Sequence, residues 1–184
     1  MTPTSIREAQ ATAYPRDKID GIWWAGSETD VQDIGAGAKG YNTVTIQNTA
    51  EFDKVHDEIK TMLYDKGQGT ARDVKGTRSI AYTRGVMIAM LQVESIRTAQ
   101  EKFGKGKTMT PEQVRWGLEN LNLTQERLNE LGFGKVLRPV KTSCENHMGT
   151  DWSRIAQWDG AKFNVVSDWY QADEQILKPM IKAG

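Results

Sequence analysis

Apolar positions recur along this chain at two different periods, and the change of period divides it into three stretches. From Ser5 the spacing to Glu8 matches a capping box and predicts a helix through Ala13, which Pro15 stops because proline disfavours a helical residue before it. Ile19 to Gly26, IDGIWWAG, is a short apolar run bounded by turn formers and reads as a buried strand. A short helix around Asp30 to Ala38 and a second strand from Tyr41 to Asn48 follow. Helix, strand, helix, strand is the order of a parallel, doubly wound sheet.

From Glu51 the period becomes helical. Phe52, Val55, Ile59, Met62 and Leu63 fall on one apolar face, and His56 lies on the polar side of that helix. Gly67, Gly69 and Gly76 punctuate a polar loop. A long helix carrying Met87, Met90 and Leu91 on its apolar stripe and Glu94 and Arg97 on a charged back runs to Phe103. Thr110 caps the next helix, with Pro111 at its first position and Gln113 at capping-box spacing. Gly132 and Gly134 close the helical stretch. Alternation then returns on both sides of Asp159-Gly160, in RIAQW and KFNVVSDW, which predicts a hairpin.

With 184 residues, 38% of them hydrophobic and 26% charged, the composition is that of an ordinary globular protein. The 24 basic and 24 acidic residues cancel, which removes the electrostatic footprint of a nucleic-acid or anionic-membrane binder and points to a small ligand. No apolar run reaches the ~18 residues of a membrane span, and the N-terminal segment reads without a signal-peptide core. One cysteine, Cys144, excludes an internal disulfide.

Most motifs that suggest chemistry lack their context. Gly35, Gly37 and Gly40 match a dinucleotide fingerprint, but they follow a helix and lead into a strand, the reverse of the required order. Gly104 to Thr108, GKGKT, follows a helix and lacks the first glycine of a phosphate loop, so it reads as a basic turn. His56 and His147 have no zinc-type spacing, and Cys144, Asn146 and His147 are sequence neighbours, unlike the dispersed partners of a thiol nucleophile. No catalytic residue, metal site or cofactor is therefore expected. The remaining candidate is the loop after the first strand, Trp23 to Glu28, because ligands of open α/β sheets bind beyond the carboxyl ends of strands. Its indoles, the Ser27 hydroxyl and the Glu28 carboxylate suit a small molecule with an ammonium or carboxylate group. Trp24 reads equally as a core residue. Tyr82, at the start of the long helix, either lines a cleft or packs beneath one.

The phrases TPTSIREAQATAYPRDKI, GIWWAGSETDV, GAGAKGY, YTRGVMIAMLQVESIRTAQEKFGKGK, EQVRWGLENLNL and TSCENH, with the closing WDG…W hairpin, occur in an order that resembles one family. It is the solute-binding proteins of branched-chain amino-acid type ABC transporters, the type I periplasmic binding proteins, and nearly the whole chain is similar to their C-terminal half. The resemblance implies an α/β fold of three αβα layers, of which this chain would be an incomplete part. Residues 1–49 and 153–184 would then belong to the second lobe, and residues 50–152 to the C-terminal portion of the first. It also implies a non-enzymatic protein that binds a small carboxylate, a branched-chain or other amino acid or a small aromatic acid, and delivers it to a membrane permease, periplasmic in the full-length parent. The ligand contacts carried over are Trp24, Ala25, Gly26, Ser27 and Glu28, with a further aromatic contact at Tyr82. A cytoplasmic ligand-sensing regulator of the same fold is the alternative, and a small α/β enzyme a remoter one. The family's first-lobe strands and export signal have no counterpart here, which suggests a truncated product or a misplaced start. Sheet edges left open in this way are expected to drive homo-oligomerisation.

Overall fold

A computed structural model describes residues 2–47, 54–70 and 74–182, with side chains omitted at residues 74, 75, 181 and 182. The expectations placed on Asn48, Glu51 and Phe52 lie outside these residues. Helix α1 spans Thr2–Ala11, three residues earlier than the Ser5 spacing predicts, so Ser5 sits inside it and not at its cap. Ala13 then takes a left-handed φ of 55°, and the chain leaves the helix before Pro15.

The Ile19–Gly26 strand does not form as expected. Only β1, Asp20–Gly21, pairs with its neighbour; Trp23–Ala25 is a 3₁₀ turn, and Ile22 and Trp24 are each 67% exposed. Side chains in and just before the neighbouring strand β2, Asn42–Thr45, take over the loop's carbonyls instead. The Tyr41 hydroxyl donates to Ala25 O at 2.9 Å, and Thr43 Oγ1 donates to Ile22 O at 3.2 Å. Gly26 is required for this close approach, since a Cβ there would lie 2.3 Å from Thr43 Oγ1. The predicted helix over residues 30–38 is likewise broken, into α2, Glu28–Val31, and a 3₁₀ turn at Gly35–Ala38.

Beyond these, the order is α3 (Lys54–Met62), α4 (Ile80–Phe103), α5 (Pro111–Glu119), β3 (Asn122–Leu123), α6 (Gln125–Glu130), β4 (Val140–Lys141), β5 (Trp152–Trp158), β6 (Phe163–Val165), β7 (Tyr170–Gln171) and α7 (Glu174–Lys182). The main sheet runs β1-β2-β5-β6, with β7 also on β5. Its β1–β2 pair is parallel, in register Asp20↔Asn42, while β2–β5 (Val44↔Ile155), β5–β6 and β5–β7 are antiparallel. The hairpin at Asp159-Gly160 forms as predicted. The Asp159 carboxylate accepts from the N–H groups of Ala161 and Lys162, and its pKa falls to about 2, chiefly through the Lys162 and Ala161 bonds and then through Asn164.

Two clusters of buried side chains result. One joins Ile6, Val31, Ala38, Tyr41, Ile80, Ala156, Trp158 and Phe163; the other joins Val55, Met87, Met90 and the 121–140 segment, including Leu128, Phe133 and Val136. In the second, α4 and α5 cross closely at Gly117, where a Cβ would meet Ser95 O at 2.0 Å. Thr110 caps α5 as predicted, accepting from Gln113 N while Gln113 Oε1 accepts from Thr110 N. Two polar residues lie opposite to their predicted faces. His56 is buried, its Nε2 3.0 Å from Thr83 Oγ1, and Glu94 is buried against Arg127. Of the apolar residues read onto one face here, Val55 and Ile59 pack inward, whereas Met62 and Leu63 are exposed.

Candidate functional site

The loop from Trp23 to Glu28 docks on the first turn of α4. Glu28 Oε2 accepts from Ile80 N at 3.0 Å, supplementing the cap that Ser79 provides by accepting from Tyr82 N at 3.2 Å. One carboxylate oxygen is thus committed to the helix, and Oε1 has no donor among the described residues. Ser27 is buried; its hydroxyl and its N–H both donate to Asp30 Oδ2, at 2.8 and 3.0 Å. That S-x-x-D spacing over residues 27–30 is a legible helix-start signal that the sequence reading did not use.

Arg84, one turn further along α4, closes the arrangement. It is 6% exposed, its Nη2 donates to Gly26 O at 3.1 Å, and its guanidinium lies 4.6 Å from the centroid of the Trp23 ring. Burial lowers its pKa from the ordinary guanidinium value, against the opposing pull of Asp30 and Glu28. Two donors here, Arg84 Nε and Trp23 Nε1, are buried without an acceptor among the described residues. Arg84 escaped the sequence reading because no period or spacing marks a single arginine in an apolar helix as buried.

Trp23 packs on the second hydrophobic cluster and carries Trp24 above it, ring centroids 4.5 Å apart, so Trp24 presents its indole outward. Ala25 and Gly26 contribute carbonyls, both already accepting from Tyr41 and Arg84. Burial, helped by Asp30 and Asp20, pushes the Tyr41 hydroxyl up to about 12 and keeps it a neutral donor. The loop from Trp24 to Glu28 therefore docks on the start of α4, with Gly26 and Ser27 buried within it. Tyr82 sits in that first turn, half-buried, but its phenol meets Tyr64; burial first, and that partner next, raise its pKa. Two concavities lie elsewhere on the chain, one of about 330 Å³ between residues 141–151 and α7 and one of about 230 Å³ beside Arg138, Arg154 and Trp169. Neither is lined by the loop or by Tyr82.

The loop can offer an exposed indole face, a carboxylate oxygen and a buried cation behind them. These suit a small zwitterion or organic acid. Cys144 is exposed, and His147 Nε2 lies 3.7 Å from Glu119. No group of three or more metal-ligating side chains occurs among the described residues, and none of the described helices is long and apolar enough to cross a membrane.

No protein-family model matches the chain, and no curated protein does. Among solved structures, an ABC transporter permease from the Pseudomonas fluorescens group is similar over 99% of this chain and 44% of its own, with 38% identity and a TM-score of 0.89. A branched-chain amino acid ABC transporter from Thermus thermophilus, with bound valine, is similar over 95% of this chain and 44% of its own, at 21% identity and a TM-score of 0.69. A substrate-binding ABC transporter protein from Aeropyrum pernix shares 15% identity over 98% of this chain and 44% of its own, with a TM-score of 0.66. The chain thus spans less than half the length of each protein it resembles.

Proposed function

We propose, from the premise that this chain has the fold of part of a type I periplasmic binding protein, the fold of ABC transporter solute-binding proteins, that it belongs to the substrate-binding component of such a transporter. The observation that carries the reading is the 38% identity maintained over 99% of the chain with an ABC transporter protein. Its ligand class is a small carboxylate: an amino acid, in keeping with the valine bound by the Thermus relative, or a small aromatic acid. The parent works in the periplasm beside a permease, and binding involves no covalent step.

In this reading the two hydrophobic clusters are the cores of two lobes, residues 1–49 with 153–184 and residues 50–152. The Trp24–Glu28 loop and Tyr82 face the ligand. Two side chains tie the regions together, since Ile80 enters the first cluster and Trp23 packs on the second. Closure around a ligand would then bend the chain close to the Glu28–Ile80 hydrogen bond.

Calorimetry with L-valine and benzoate tests this. Glu28→Gln keeps a carbonyl oxygen for Ile80 N, so the fold survives while the charge is lost. Affinity for valine should fall by ~1.5 to 3 kcal/mol, as for a lost charged hydrogen bond, and affinity for benzoate should not. Absence of binding to any amino or aromatic acid would overturn the function; unchanged valine affinity would remove only Glu28 from the site.

A further inference from the structure

A second feature lies outside that loop. The segment after α6 carries Lys135 and Arg138, β5 carries Trp152 and Arg154 two positions apart on one face, and Trp169 precedes β7. The Arg138 guanidinium lies 4.5 Å from the centroid of Trp152 and 5.1 Å from that of Trp169, and Arg154 lies 4.3 Å from Trp169. The concavity of about 230 Å³ beside them is lined by Lys135, Arg138 and Arg154 together with Gln125 and Trp169, and no acidic side chain lines it.

We propose that this concavity is a second binding site, for a small oxyanion of the phosphate or carboxylate class. Three cations line it; Lys135 and Arg154 each also hold another partner, which leaves Arg138 as the cation available to an occupant. Among the described residues Arg138 makes no side-chain hydrogen bond or ion pair; its contacts are the two indoles. Stacking fixes the plane of a guanidinium and leaves its edge N–H groups available, which is the geometry that receives an oxyanion through two parallel hydrogen bonds. The volume suits a group of a few heavy atoms and not a drug-sized ligand, for which pockets start at about 300 Å³. The neighbouring Leu137 bridges to Gln47, two residues beyond β2, so an occupant would stiffen the place where the 134–138 segment meets the chain leaving the main sheet.

Inorganic phosphate and acetate are the probes, titrated at low ionic strength by calorimetry and by the indole N–H resonance of Trp169. Saturable binding of one equivalent is expected, with the Trp169 resonance shifting in step. Arg138→Gln should weaken it about tenfold or more, and Arg138→Lys should restore only part, because an ammonium lacks the planar fork. Tighter phosphate than acetate binding identifies a phosphate site, and the reverse a carboxylate site. Either no saturable binding of both probes at millimolar concentration, or binding that survives Arg138→Gln in a variant with an unchanged unfolding midpoint, overturns the proposal. Should Arg138→Gln not fold, a wild-type titration that leaves the Trp169 resonance unmoved overturns it equally. Valine binding plays no part in this test, so its failure is separate from failure of the transport reading.

Discussion

Helix α4 buries two charges that the protein treats differently. At its middle, Glu94 accepts from Arg127 through both oxygens, at 2.6 and 2.8 Å, with Arg97 3.7 Å away. At its start, Arg84 is equally buried yet donates to a carbonyl, stacks on Trp23 and has no acceptor for Nε among the described residues. The first pair is complete, and a complete buried pair holds a structure in place without inviting anything else. The second is incomplete beside an exposed indole and a half-committed carboxylate. Buried donors left open in this way concentrate where a molecule changes partners.

Removing one member of the complete pair should have the largest effect. Glu94→Ala removes the buried, two-pronged partner of Arg127 and leaves it only the exposed Glu130, and should destabilise by about 3 kcal/mol, read by urea unfolding; replacing both residues by Met and Leu should recover most of that loss. A cost below about 1 kcal/mol for the single change would erase the contrast with Arg84. Arg84→Met should cost only about 1 kcal/mol, because it frees the Gly26 carbonyl but also removes an orphaned donor. Trp23→Phe, which deletes the other orphan, should be smaller still, within about 0.5 kcal/mol. Unfolding losses at Arg84 equal to those at Glu94 would show that the start of α4 is as rigidly built as its middle.

Asp159 sharpens the comparison from the other side, being fully satisfied but exposed. Its folded pKa of about 2 lies below the ordinary 3.8, so its contribution is present above pH 3.8 and disappears as pH falls toward 2. The gap in unfolding midpoint between wild type and Asp159→Ala should therefore be small near neutrality and close over that window. A gap that persists at pH 2 would assign the effect to the turn backbone.

Local signals were the legible ones. The Thr110–Gln113 cap and the Asp159-Gly160 turn involve residues within a few positions of one another, and both form as read. The failures are longer-range. Ile22 and Trp24 look like strand core, but Tyr41 and Thr43 claim the backbone that a strand would need. His56 and Glu94 look solvated until Thr83 and Arg127, each 27 or more positions away, arrive to satisfy them. Trp24 reads evenly as core or cleft from the sequence, and its exposure excludes the core.

What the sequence by itself determined is the fold family, the long helix α4, the Thr110 cap and the Asp159-Gly160 hairpin. Helical period, cap and turn depend on neighbours in the chain, and the phrases that carry the family likeness can be read without coordinates. Only the tertiary structure decided that Glu28 caps α4, that Arg84 sits beneath Trp23, and that Arg138 and Arg154 share the Trp169 indole. Each of these joins segments that are distant in sequence, and the cost of burying a charge or an N–H group is settled by whichever partner the packed fold brings to it.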